Sequence, residues 1–317
     1  MKGEITVNIK NKHISFKLKL ERNITILTGD SGTGKTKLIN MVRNYSELGK
    51  SSGVTLSCKK TCVVLEGRNW EHDLQNTRDS IVFIEESTPF LKSRDFARLI
   101  QETNNYYVLV TREPLPQIPY SIDAIKRIVK NGDKPKFEKI YNHTSIKDIE
   151  KKPYDLIITE DSRSGFQLFH KFAEKMGILC VSANGKSNLL TTIHENRKKN
   201  LLVIADAAAL GSEIRDLTQY QDNSETRIDF FLPECFEWLI LRSAIFSGNA
   251  NIQEILSKPI DYIESIEFFS WERFFTHILI EKSQAIPTLK YEKSALATGY
   301  LSDTNMEFIV RAMKNKN

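Results

Sequence analysis

The stretch GDSGTGKT, residues 29–36, constrains the fold of this chain more than any other. It satisfies the pattern GxxxxGK[ST], follows the apolar run Ile24–Thr28, and leads into helical periodicity through Leu38, Ile39, Met41 and Val42 that ends near Gly49. A strand that turns through such a loop into a helix predicts a mostly parallel α/β sheet covered on both faces. Gly29, Gly32 and Gly34 let the backbone curl, so that N–H groups of the loop, through Asp30, Ser31 and Thr33, point inward at phosphate oxygens. The helix N-terminus adds partial positive charge. Lys35 is then expected at the β- and γ-phosphates, and Thr36 is expected to hold Mg²⁺ through its hydroxyl.

The remaining pattern supports that frame. Alternating apolar residues at 5–9 and 14–20, split by Asn11 and Lys12, predict two antiparallel strands joined by a tight turn. Further strands are predicted at 62–65, 81–84 and 107–111, with a helical segment over 93–102. From residue 133 to 153 the chain is Lys-rich and carries Pro135 and Pro153, which predicts a basic linker after a first domain of residues 1–132. A second α/β rhythm occupies 154–235: strands at 155–159, 178–182, 201–205 and 228–232 alternate with helices at 165–176, 188–196 and 212–220. Phe166, Leu168, Phe169 and Phe172 form the expected buried face of the first of these helices. Residues 236–317 read as a helical, aromatic region, with Trp238, Trp271, Phe274 and Phe275 at core spacing.

Composition excludes several classes. The N-terminal MKGEITVNIKNKHISF alternates like a strand rather than a signal peptide, and no apolar run reaches the ~18 residues that span a bilayer, so a cytoplasmic protein without membrane contact is expected. Cys58, Cys62, Cys180 and Cys235 fit a reducing compartment, and the Cys58/Cys62 pair lacks two further ligands for zinc. The histidines show no paired ligand spacing. A formal net charge of +5 favours approach to a polyanion. Lys126, Arg127, Lys130, Lys134, Lys136, Lys139, Lys147, Lys151 and Lys152 cluster as either a phosphate-backbone track or a solvated linker.

Two groups of acids stand at strand ends. Ile81–Ile84 runs into Glu85 and Glu86, placed respectively to hold Mg²⁺ and to polarise an attacking water. In the second rhythm, one strand ends in Glu160-Asp161 and another in Asp206, and ligands collect beyond the carboxyl ends of parallel strands. Ser182, Asn184, Gly185 and Lys186 end the strand between them with a flexible turn and a cation.

The first region, with its P-loop and paired N-terminal strands, resembles the ATP-binding-cassette type of ATPase found in chromosome-maintenance and recombination proteins. That resemblance implies ATP as ligand and places a γ-phosphate-sensing residue at Thr111, with Arg112 as its neighbour. The chain has no LSGGQ-like signature, and about fifteen residues between the strands at 62–65 and 81–84 are too few for a helical subdomain. The second region resembles the Toprim fold of topoisomerases, primases and nucleases of the overcoming-lysogenisation-defect type. There Glu160 matches the Glu that ends the first strand, and Asp206 and Gly211 match the first Asp and the Gly of DxDxxG. Ala208 stands at the second Asp, and Asp161 or Glu213 are the nearest carboxylates to compensate. The pairing implies Mg²⁺ at Glu160 and Asp206 and resembles ATPase–Toprim proteins of anti-phage defence and mobile elements.

Three functions follow as expectations. The first is an ATP-binding protein that controls a Mg²⁺-dependent nucleic-acid-processing site, with Glu86, Glu160 and Asp206 as catalytic groups. The second is a non-cleaving ATPase switch whose degenerate second domain and C-terminal helices recognise a protein partner, nucleic acid or a second copy. The third is a small-molecule kinase, for which neither an arginine-bearing lid nor an acceptor pocket is legible.

Overall fold

In a computed structural model, residues 2–146 and 153–314 are described. Lys147, Lys151 and Lys152 of the basic stretch, and the last three residues of the polar tail, lie outside them. The chain is mixed α/β and divides into two units, one made of residues 1–142 and 258–270, the other of 143–257 and 271–317.

In the first unit, β1 (Ile5–Lys10) and β2 (Ser15–Leu20) pair antiparallel with Ile5 opposite Leu20. Their inward set, from Ile5, Val7 and Ile9 to Phe16, Leu18 and Leu20, is buried, as period-two alternation demands. After β3 (Ile24–Thr28) and α1 (Lys35–Leu48), the short β4 (Thr55–Ser57) completes a three-stranded sheet of order β2-β1-β4. The chain continues through β5 (Thr61–Val64), α2 (Trp70–Asn76), β6 (Ser80–Ile84), α3 (Arg94–Leu99), β7 (Tyr106–Val110), β8 (Ile125–Val129) and β9 (Lys136–Lys139). These strands and β3 form a second sheet, order β5-β6-β7-β3-β8-β9. All its pairings are parallel except β8 with β9.

Strands β6 and β7 are buried along their whole length, which is why IVFI and YYVLV read as unbroken apolar runs. The linker expected at 133–153 is corrected in part: Lys136–Lys139 is an edge strand, because Phe137 sits opposite Ile128 and packs on Phe16 while its charged neighbours point outward. The segment 258–270 returns to this unit, where Ile260 O accepts from Gly3 N at 2.9 Å and Ser265 Oγ donates to Asn104 O at 3.2 Å.

In the second unit, β10 (Leu156–Thr159), α4 (Ser164–Met176), β11 (Leu179–Ser182), α5 (Leu189–Glu195), β12 (Leu201–Ile204), α6 (Ile214–Asp222) and β13 (Ile228–Phe231) alternate regularly. The four strands form a fully parallel sheet of order β11-β10-β12-β13. Leu168, Phe169 and Phe172 of α4 are buried as expected, whereas Phe166 is only half-buried and lies against His170. Helices α7 (Phe236–Arg242), α8 (Ala250–Ser257), α9 (Trp271–Ser283) and α10 (Asp303–Lys314) belong to this unit rather than forming a separate region. No helix among the described residues is long and apolar enough to cross a membrane.

Candidate functional sites

The loop at 29–36 leaves β3 at the middle of its sheet and enters α1 at Lys35. Gly29 and Gly34 sit at φ +107° and +108°, a region that only glycine enters without strain, and a Cβ on Gly34 would press the Phe16 ring at 3.3 Å. Ser31, Gly32, Thr33, Gly34, Lys35 and Thr36 line a cavity of about 640 Å³ together with Glu85, Glu86 and Arg112. The Lys35 ammonium folds onto its own loop, donating to Gly29 O at 2.6 Å and Asp30 O at 2.7 Å. Burial, and next the nearby Arg112 guanidinium, pull its pKa down. Gly29 and Asp30 thus serve through their carbonyls, not as part of the cavity wall.

The two acids after β6 have different partners. Glu85 lies 3.6 Å from the Arg43 guanidinium of α1, which also holds Glu66 at 2.7 Å. Glu86 Oε1 accepts the backbone N–H of Arg112 at 3.0 Å, and its other oxygen lies 3.6 Å from Arg112 Nε. Arg112 also donates to Ser31 Oγ at 2.9 Å, so a single side chain bridges the loop and the acid. The expectation for Thr111 does not match this geometry: it is buried, donates to Glu113 O at 2.9 Å and does not line the cavity. Successive side chains of a strand leave on opposite faces, so the neighbouring Arg112 reaches the loop when Thr111 does not.

In the second unit the ladder sets the positions of the acids. Strands β10 and β12 pair in parallel with Thr159 opposite Ile204, and Glu160 N donates to Ile204 O at 2.8 Å, so Glu160 and Asp206 leave adjacent strand ends nearly level. Both line a cavity of about 270 Å³ with Lys186, Glu237, Glu272 and Lys293. Glu237 comes from α7 and Glu272 from α9; Lys293 follows α9 and pairs directly with Glu272. The Glu237 side chain is buried, accepts from Tyr291 Oη at 2.8 Å, and through that tyrosine connects to Ser164 at 2.9 Å.

No hydrogen bond or ion pair reaches the Asp206 carboxylate among the described residues. Burial pushes its pKa well up, and Glu272, Glu237 and Glu160 add to the shift. Glu160 is raised too, first by burial and then by Asp161 and Glu272, and Glu237 is raised by burial. Lys293 is drawn down by burial but raised more by Glu272, Glu237 and Asp206 together, for a net upward shift.

The two expected compensators for Ala208 have other partners, although Asp161 also lines the cavity. Asp161 turns back on the start of α4, accepting from Arg163 N at 3.0 Å and Gly165 N at 2.7 Å, as a capping carboxylate does. Glu213 is held by Ser212 Oγ at 2.7 Å and by Lys186 at 3.3 Å. The carboxylates that join Glu160, Asp161 and Asp206 from outside the sheet are Glu237 and Glu272, which sequence reading placed among aromatic core helices. A lone acid on the apolar turn FEWLILR was the available signal, since such a group is buried only with partners. Among the described residues, no three Asp, Glu, His or Cys side chains come together as a metal-holding group. Compared with protein-family models, with curated proteins and with solved structures, the chain matches none.

Proposed function

We propose that the chain is an ATP-binding protein with a P-loop at residues 29–36, and of weak hydrolytic power because Glu85 stands where such ATPases usually carry Asp. One observation carries the reading: Lys35 and Thr36, the acids Glu85 and Glu86, and Arg112 line one cavity at the carboxyl end of a parallel sheet. The donor set suits a hard cation, since the Thr36 hydroxyl and the Glu85 carboxylate are both oxygen ligands. Mg²⁺ bound there would neutralise the β- and γ-phosphate oxygens. The chain's own groups have separable tasks. Loop N–H groups and Lys35 bind phosphate, Glu86 orients water, and Arg112 holds Glu86 in place through its N–H and meets negative charge beside Ser31. ATP is favoured over GTP because the chain lacks a guanine-reading NKxD motif.

The test is nucleotide affinity by calorimetry alongside phosphate release. Lys35→Ala is expected to weaken ATP binding by at least ~100-fold, a loss in line with a charge-assisted phosphate contact in a partly buried site. Glu86→Gln should keep binding and lose hydrolysis. Wild-type protein that binds no ATP, or a Lys35→Ala variant that binds it equally well, overturns the reading.

A Toprim-like role for the second unit is favoured by the level placement of Glu160 and Asp206 on adjacent parallel strands and by the unbonded Asp206 carboxylate. The residues do not form a ready-made metal cage, so no cutting step is assigned to them. Between a nuclease and a non-cleaving switch, incubation of the wild type with DNA and RNA in Mn²⁺ decides: absence of any cleavage leaves the switch.

A further inference from the structure

We propose that the lysine surface where β1 and β2 adjoin β8 and β9 docks duplex nucleic acid through its phosphate backbone. The inference rests on the nucleic-acid part of the reading above, not on the nucleotide loop or the acidic cavity. The β2 and β9 edges adjoin: Ser15 N donates to Asp133 O at 2.8 Å, and the Phe16 and Phe137 rings meet beneath at 6.2 Å. Around that seam stand Lys10, Lys12, Lys17, Lys130, Lys134 and Lys136, all exposed. Their ammonium groups have no ion-pair or hydrogen-bond partner among the described residues.

Neighbouring cations, by contrast, are matched. Lys19 pairs with Glu4 at 3.0 Å, Arg127 with Glu138 at 3.4 Å, and Lys139 with Asp123 at 2.9 Å. Within β1, β2, β8, β9 and the turns that join β1 to β2 and β8 to β9, the acids are Glu138, which pairs with Arg127, and the exposed Asp133. Six like charges held on one rigid surface repel one another, and a polyanion relieves that cost while releasing its own counterions.

The same surface argues against other anionic partners. The exposed large apolar side chains of the described chain are Leu48, Leu179, Ile266, Ile280 and Ile286, none of them on β1, β2, β8 or β9, so the patch has nothing to insert into a bilayer. Phe16 is buried and Phe137 half-buried against it, so no Phe, Tyr or Trp ring is offered for stacking unpaired bases, and the His13 imidazole in the β1–β2 turn is the one exposed ring there. A charged surface without an exposed Phe, Tyr or Trp platform suits the ordered phosphate rows of a duplex, read without sequence preference.

The experiment measures binding of the full chain to a short labelled DNA duplex of random sequence, in EDTA and without nucleotide, across a salt series. Six phosphate contacts predict that log affinity falls against log salt with a slope of about −5. The variant Lys12→Glu/Lys17→Glu/Lys134→Glu/Lys136→Glu should flatten that slope to about −2 and weaken binding at least ~100-fold at moderate salt. Its nucleotide affinity should stay at the wild-type value. Should that variant misfold, Lys12→Gln/Lys134→Gln serves instead, with the slope expected to shrink by about 2. Lys35→Ala is expected to keep duplex binding, so failure of the nucleotide reading shows separately. The proposal is overturned by no salt-dependent duplex binding in the wild type, by an unchanged slope in the variants, or by tighter binding to single strands or to phosphatidylserine vesicles than to duplex.

Discussion

Asp206→Asn is expected to make the protein more stable, although it alters a residue at the centre of the acidic cavity. The carboxylate lacks a hydrogen bond among the described residues, and three other carboxylates raise its pKa against the single opposing effect of Lys293. An amide of the same shape removes the charge from this half-buried position. A largely buried polar group left without a partner costs about 1–3 kcal/mol, and the neutral amide recovers the part of that cost due to charge. In a domain of this size each kcal/mol moves Tm by roughly 2–4 °C, so a rise of about 2–12 °C is expected at pH 8. The sign depends on pH. A carboxyl whose folded pKa is raised contributes stability that is fully present below its ordinary value near 3.8 and is lost as pH climbs through the folded pKa. The advantage of Asn over Asp should therefore be small near pH 4 and grow towards pH 8. Scanning calorimetry of both proteins in EDTA at pH 4, 6 and 8 measures it. A variant that is less stable at pH 8, or a difference that ignores pH, would refute the picture of an uncompensated carboxylate.

Two further outcomes are expected. Gly34→Val puts a β-branched side chain at φ +108° against Phe16; a loss of about 1–3 kcal/mol in urea unfolding, together with loss of ATP binding, is the result to look for, and a neutral effect counts against the loop conformation. The hydrogen bond from Cys62 lowers the pKa of the Cys58 thiol, while burial pushes Cys180 up to about 12, so iodoacetamide at neutral pH should label Cys58 well ahead of Cys180 by peptide mass spectrometry; equal rates contradict that environment.

Much of the sheet framework was legible because its signals are local. Apolar runs such as IVFI and LLVI are unbroken where strands are buried on both faces, and the glycine spacing at 29–36 declares its backbone. What was hidden depends on distance or phase. The choice of Arg112 over Thr111 is a matter of which face each strand-end residue leaves from, and a one-residue error in phase reverses it. Glu237, Glu272 and Lys293 reach the acids of β10 and β12 from helices and a turn far along the chain, and no local pattern reports such convergence. The edge strand β9 was masked by its own lysines, since charge is how exposed edges are kept from pairing and is also what a linker looks like.

The return of residues 258–270 to the first unit has a practical consequence for dissection of the protein. A fragment ending at residue 142 would leave Gly3 N and Asn104 O without the partners supplied by Ile260 and Ser265, and a fragment beginning at 143 would carry thirteen or so residues whose neighbours were cut away. Neither unit is a contiguous stretch of gene. The smallest faithful excision of the first unit is a fusion of 1–142 to 258–270 through a designed linker, and simple truncations should be read first as folding defects and only then as losses of activity.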